Sequence, residues 1–326
     1  MKIAVTGAHG HVGVNLCKAL LSNGYEVNAL SHKNVKGLQG LNINLIKGDV
    51  LDIPSIKGLM KDAEVVIHLA AKISITGDQD GMVSRINTQG TQNIVDQALE
   101  CKVRRYIHFS SIHAFQQHPL NQPIDESRPL VNSEGFAYDR SKAAGERAVQ
   151  NAILKGLNAI ILSPTAIIGP SDPQPSLAGN AVLELYHNQI PALVPGGYDW
   201  VDVRDVVSAA ISAIDSGRSG EKYLLSGHWH SLKEFSQFIE LHSGKKTVKT
   251  VLPFWVARVG LPFITMYSKI TGAKPLYTSE SLTIVGEGNR QIKNEKAIKE
   301  LNFNPRPLSD TIRDILVWFK ENGYIK

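Results

Sequence analysis

The sequence lacks most of what would mark a small secreted, metal-binding or membrane-spanning protein. It holds only two cysteines, Cys17 and Cys101, too few for a disulfide framework and without neighbours that suggest a metal site. No stretch supplies the roughly 20 apolar residues that a membrane span needs. The nearest approach, Val251 to Tyr267, is interrupted by Pro253, Arg258, Gly260 and Pro262; it reads as a lobe helix covering a pocket, ahead of a segment lying on a membrane surface. No run of Lys or Arg exceeds two, so the net charge of +5 is scattered and fits an anionic ligand better than a nucleic-acid face. Glycine (27) and proline (15) are at ordinary levels, which excludes collagen-like and low-complexity readings. Met1 to Thr6 run straight into a glycine turn without the pattern of a signal peptide, and the expected location is the cytoplasm.

What is present is a chain of 326 residues with 43% hydrophobic and 20% charged residues, enough for one large domain or a domain with a smaller lobe. Short β-branched runs alternate with helical periodicity through the first half. Strands are expected at Lys2–Thr6, Tyr25–Leu30, Ile43–Ile46, Glu64–Leu69, Arg105–Phe109 and Leu157–Leu162, with helices at Val12–Ser22, Ile53–Lys61, Thr88–Glu100 and Tyr138–Lys155. Glu64–Leu69 is nearly all apolar, as a strand covered on both faces should be. This alternation predicts an α/β fold, a doubly wound parallel sheet of the Rossmann type. The nucleotide-binding domain is expected to span 1–170, with a strand and a helix added from about 200–216. A smaller α+β lobe over 171–326 is expected to cover the substrate.

Thr6-Gly7-Ala8-His9-Gly10-His11-Val12-Gly13 sits between the first strand and the first helix, the context of a dinucleotide turn. Gly7 permits the tight turn, Gly10 lets the backbone approach a pyrophosphate, and Gly13 lets the helix pack close to the sheet. His9 and His11 read as loop histidines beside a phosphate, in preference to a metal pair. The second strand ends Leu30-Ser31-His32-Lys33 with no acid. An acid there would bind the ribose diol and repel a 2′-phosphate; His32 and Lys33 suit the phosphate instead, so NADP is expected ahead of NAD. Gly48-Asp49-Val50 closes the third strand, where a carboxylate can accept a bond from adenine or simply shape a turn.

Tyr138 and Lys142 stand four apart, on one helix face. A phenol is a poor base at neutral pH, and a nearby ammonium is expected to lower its pKa. Such a tyrosine exchanges a proton with a carbonyl or alcohol oxygen. Phe109-Ser110-Ser111 ends the fifth strand, where a hydroxyl can polarise that oxygen. By itself the tyrosine–lysine spacing is equally met by a packing tyrosine and a solvated lysine.

Together these motifs resemble the extended short-chain dehydrogenases/reductases, and within them the dihydroflavonol 4-reductase-like branch. The resemblance also covers Val66-Ile67-His68-Leu69-Ala70-Ala71, Asn87-Thr88-Gln89-Gly90-Thr91-Gln92-Asn93, Pro164-Thr165 and Trp200-Val201-Asp202-Val203-Arg204-Asp205-Val206. Near the C-terminus it takes in Glu300 to Pro307 and Trp318-Phe319. It implies a Rossmann fold, a nicotinamide cofactor and a Ser111–Tyr138–Lys142 catalytic site. The implied cofactor cleft adds Val50, Leu69, Ala70, Ala71, Lys72, Asn87, Ser110, Pro164 and Thr165 to the glycine turn, Asp49 and the catalytic pair. It further implies a homodimer through the helices around Thr88–Glu100 and Tyr138–Lys155.

The chain departs from sugar-nucleotide relatives in lacking two arginines that clamp a diphosphate: Ser163 precedes Pro164 and Gly197-Tyr198-Asp199 precedes Trp200. Arg290 is then the one candidate clamp. Leu252, Phe254, Trp255, Leu261 and Phe263 are expected to wall an apolar pocket. These features favour an NADPH-dependent reductase of a ketone or aldehyde. A nucleoside-diphosphate-sugar epimerase or dehydratase with tightly held NAD, and a non-catalytic NADP sensor, are the alternatives.

Overall fold

The computed structural model describes residues 1–32, 35–271 and 277–326, with backbone alone at 265, 267–269 and 271. Along the chain the elements are β1 (Lys2–Thr6), α1 (His11–Ser22), β2 (Glu26–Ser31), β3 (Asn44–Lys47), α2 (Ile53–Met60), β4 (Val65–His68), the helical turn α3 (Met82–Ser84), α4 (Thr91–Glu100), β5 (Arg105–Phe109) and α5 (Ala137–Leu154). There follow β6 (Ala159–Pro164), β7 (Ala166–Ile168), α6 (Leu177–Tyr186), β8 (Gly197–Asp202), α7 (Val203–Asp215), β9 (Lys222–Leu225), β10 (His228–Ser231), α8 (Leu232–Ser243), α9 (Phe254–Thr271), α10 (Ser279–Glu287), α11 (Glu295–Leu301) and α12 (Leu308–Glu321).

Seven strands form one parallel sheet in the order β3-β2-β1-β4-β5-β6-β9. The period-2 alternation of side chains explains why both faces are covered. Ile3, Val5, Ile160 and Leu162 enter one core with Leu16 and Leu20 of α1 and Val206 and Ala210 of α7. Ala4, Ala159 and Ile161 enter the other, with Ile56 and Leu59 of α2, Ile94 and Val95 of α4 and Val149 of α5. Each buried Val, Leu or Ile among them contributes about 1.5–3 kcal/mol. The order reverses between β1 and β4, and a parallel sheet opens a crevice beyond its carboxyl ends at that point.

Two expectations change. The segment before α7 is a strand of a separate three-stranded sheet, β10-β8-β7; the seventh strand of the main sheet is β9 instead. The helix expected from Thr88 starts at Thr91, because Arg85–Gly90 form a wider π-helical turn. That bulge lets Asn87 face inward, and such bulges recur at functional sites. Ile94, Val95 and Ala98 of α4 are buried within the subunit.

The lobe has its own core. Ile168, Val182, Leu185, Trp200, Phe235, Ile312, Ile315 and Phe319 pack the small sheet against α6, α8 and α12. Arg204 bridges Asp202 and Asp314, and Arg306 holds Asp205, both at 2.6–3.0 Å, which fastens α12 and the segment before it to the start of α7.

Candidate functional site

The crevice at the sheet edge is a cleft of about 730 Å³. Its floor is the glycine turn. Gly7 has φ of +67°, and a Cβ there would meet the Ala70 nitrogen at 2.7 Å. A Cβ on Gly13 would meet the Gly7 carbonyl oxygen at 2.3 Å. Both positions therefore demand glycine. α1 begins with Gly10 as an N-cap that offers no side-chain acceptor, and its first turn carries no acid. Its leading N–H groups and the positive end of its dipole are thus left for an anion. Thr6 Oγ1 receives hydrogen bonds from the Leu69 and Ala70 amides, tying the turn to the end of β4. His9 Nδ1 is buried without a partner. Burial holds the His9 imidazole below its ordinary pKa, and the neighbouring His32 adds to this. An uncapped helix start, two obligatory glycines and an unpartnered ring nitrogen fit a pyrophosphate.

At the adenosine end, His32 Nδ1 lies 3.3 Å from Asp49 Oδ2, and Asp49 Oδ1 accepts from the Leu51 amide. Lys33 lies outside the described residues. His11, Val12, Val50, Leu69, Ala70, Ala71, Lys72, Pro164 and Thr165 all line the cleft. The Thr165 hydroxyl is committed to Asp199 at 2.6 Å. Asn87 lies behind the cleft wall, where it acts as a brace. Its side chain accepts from the Lys72 amide at 2.7 Å and donates to the Lys72 carbonyl and the Ser141 hydroxyl, holding the cleft-lining loop against α5.

Ser111, Tyr138 and Lys142 meet at the other end of the cleft. Ser111 Oγ accepts from the His113 amide at 3.2 Å and lies beside the Tyr138 phenol, close enough to draw its pKa down against burial. The expected acidification of that phenol is absent: burial pushes its pKa up to about 12, and Asp139 adds to the rise against the pull of Ser111. The physical reason is that the Lys142 ammonium is engaged elsewhere. Its Nζ donates to the Phe109 carbonyl at 2.6 Å, and burial lowers its own pKa to about 8 despite the Glu146 carboxylate.

Glu146 was not foreseen. It is fully buried, accepts from Ser110 Oγ at 2.6 Å and pairs with Lys222 at 2.7 Å. The signal available was its place one helical turn beyond Lys142; Lys222 arrives only through the pairing of β9 with β6. The Ser110 hydroxyl is thereby turned to Glu146, leaving Ser111 to the tyrosine.

The remainder of the cleft is mostly apolar: Ile73, Ile75, Leu177, Ala181, Trp200 and Ile284. His113 joins it beside Tyr138, ring centroids 5.8 Å apart, with its Nδ1 3.3 Å from Asp139. Leu252, Phe254, Trp255, Leu261 and Phe263 do not line it, contrary to expectation. Nor does Arg290, whose guanidinium lies over the Trp229 ring at 4.5 Å. Among the described residues no arginine lines the cleft.

Comparison with known proteins bears on this geometry. Residues 3–226 match the model of the NAD dependent epimerase/dehydratase family. Sterol demethylase protein B of Methylococcus capsulatus is 31% identical over 331 residues, covering 100% of each chain. A putative dihydroflavonol 4-reductase of Synechocystis is 30% identical over 336 residues, covering 99% of this chain and 95% of that one. The crystal structure of gox2253 superposes with a TM-score of 0.85 at 29% identity, covering 100% of this chain and 99% of that one. With a nucleotide cradle at the sheet edge and a matching sequence along its length, the chain belongs to the NAD dependent epimerase/dehydratase family, within the extended short-chain dehydrogenases/reductases, and is an enzyme that uses a nicotinamide cofactor.

Proposed function

We propose that the protein is an NADPH-dependent reductase that converts a ketone or aldehyde on a hydrophobic substrate to the alcohol. The observation that carries this reading is that Ser111 and Tyr138 line one cleft, between a nucleotide cradle and a mostly apolar chamber that no arginine lines among the described residues. A bound NADPH supplies hydride to the carbonyl carbon. Ser111 orients the carbonyl oxygen, and Tyr138 donates its proton to that oxygen as negative charge develops. A phenol raised to about 12 is fully protonated at neutral pH, the state a proton donor in the reductive direction requires. Lys142, which lines the same cleft with its Nζ on the Phe109 carbonyl, is the buried group whose proton can return to the phenolate. The missing acid at the end of β2, with His32 and the sequence neighbour Lys33 in its place, supports NADPH over NADH.

The substrate chamber supports a lipophilic molecule, and the relative from Methylococcus, named for sterol demethylation, points the same way. A nucleoside-diphosphate sugar needs bidentate donors for its phosphates; Arg290 is stacked on Trp229 and unavailable to the cleft. The test is NADPH consumption with a panel of hydrophobic ketones and aldehydes. Tight NADPH binding without turnover on any of them overturns the reading.

A further inference from the structure

We propose that the exposed face of α9 is a docking surface for an anionic lipid membrane. Trp255, Val259, Phe263, Met266 and Ile270 recur at helical spacing, within an arc of about 80° at 3.6 residues per turn. They are 62–73% exposed. The opposite face is the one that packs: Ala257 is buried, the Tyr277 hydroxyl donates to its carbonyl, and Phe254 sits against Gly286 of α10. Val251 and Leu252, just before the helix, extend the exposed apolar surface. No helix among the described residues is long and apolar enough to cross a membrane, so the geometry is that of a helix lying in the interface.

Charge decides the occupant. Between residues 241 and 279 the sequence has no Asp or Glu but carries Lys245, Lys246, Lys249, Arg258, Lys269 and Lys274. Lys249 and Arg258 touch Glu240 and Glu287, which flank the segment, in exposed pairs at 3.2 and 3.7 Å; such pairs are weak. An apolar stripe with aromatic residues set in a cationic segment is the composition that binds anionic headgroups. A second copy of this chain meeting the same face across a two-fold axis would bring the cationic segment, with Lys249 and Arg258, against its own counterpart. The stripe also lies next to the cleft. α10, which holds the inner face of α9, contributes Glu280, Ser281 and Ile284 to the cleft lining. The Thr278 hydroxyl at its N-terminus ties it to the Ile75 carbonyl in the opposite wall. Docking would present the cleft to lipid.

This proposal stands apart from the reductase reading, because it is read by sedimentation and not by turnover. The full chain is mixed with phosphatidylcholine vesicles with and without phosphatidylglycerol, at low salt and at about 0.5 M NaCl, where charges are screened within a few ångströms. Co-sedimentation with the anionic vesicles, at least tenfold weaker at high salt, is expected. The Trp255→Ser/Phe263→Ser variant is expected to lose at least tenfold in vesicle partition, and Lys245→Gln/Lys246→Gln/Lys249→Gln to lose the preference for phosphatidylglycerol. An unchanged Tm and an unchanged rise in Tm with NADPH show that both variants fold. No association with either vesicle overturns the proposal. So does a wild-type dimer that becomes monomeric in the serine variant without vesicle binding, which would give the face to a second copy.

Discussion

Replacing Glu146 by glutamine probes the coupling between fold and site in one step. The carboxylate is fully buried, takes hydrogen bonds from Ser110, pairs with Lys222 and keeps the Lys142 ammonium from falling further. Losing one partner of a buried ion pair costs about 3–5 kcal/mol. Glutamine retains an acceptor for Ser110, and the Lys222 side chain is 19% exposed, so about 2–3 kcal/mol is the fitting figure. For a chain of this length each kcal/mol lowers Tm by about 2 °C, giving a fall of about 4–6 °C at pH 7. The second effect is on pH dependence. Burial has already lowered Lys142 from its ordinary 10.5 to about 8, a penalty of about 3 kcal/mol for the charged form. Between those two values the unfolded chain binds more protons than the folded one, so this lysine makes the protein more stable as pH rises through that window. Without Glu146 the folded pKa drops below about 8. The stabilising window then opens at lower pH, and the alkaline limb of kcat/KM moves toward neutrality. Differential scanning calorimetry and a pH–rate profile read both effects. A Tm within 1 °C of wild type together with an unmoved alkaline limb would refute the reasoning.

Further outcomes follow from the cradle. Gly13→Ala drives a Cβ to 2.3 Å from the Gly7 oxygen; we expect a loss of about 1–3 kcal/mol and at least a tenfold rise in the Kd for NADPH by fluorescence titration, and unaltered binding would contradict the close approach. NADPH should raise the Tm of the wild type more than NADH at equal concentration, approaching about 2.7 kcal/mol of stabilisation at a hundredfold excess over Kd. His32→Asp should invert that order, since an acid favours the ribose diol and repels a 2′-phosphate. Equal stabilisation of the wild type by both cofactors would remove the basis for assigning NADPH.

Much of this was legible before any coordinates. The parallel sheet follows from strands rich in Val and Ile, apolar on both faces, alternating with helices. The glycine turn is readable because Gly7 and Gly13 answer to backbone contacts a few residues away or at the adjoining strand. Tyr138 and Lys142 share a helix, so their spacing alone puts them on one side. What sequence could not show depends on long-range pairing. Lys222 reaches Glu146 because β9 aligns beside β6, and β8 leaves the main sheet for a lobe sheet closed by β10. The effect of Lys142 on the phenol is not legible locally, because nothing in the sequence indicates that the Phe109 carbonyl takes the ammonium. Hydropathy along 251–267 does not say which face of the helix is packed; α9 buries Ala257 and leaves Trp255 outside.

The central claim is that Tyr138 is the proton donor to a carbonyl held beside a nicotinamide cofactor. Tyr138→Phe removes one hydroxyl from a half-buried ring that lines the cleft and leaves the glycine cradle intact. NADPH should raise the Tm of this variant as much as that of the wild type, while kcat for carbonyl reduction falls by about 10²–10⁴. Turnover within a factor of three of wild type, with the cofactor bound equally well, would contradict the account.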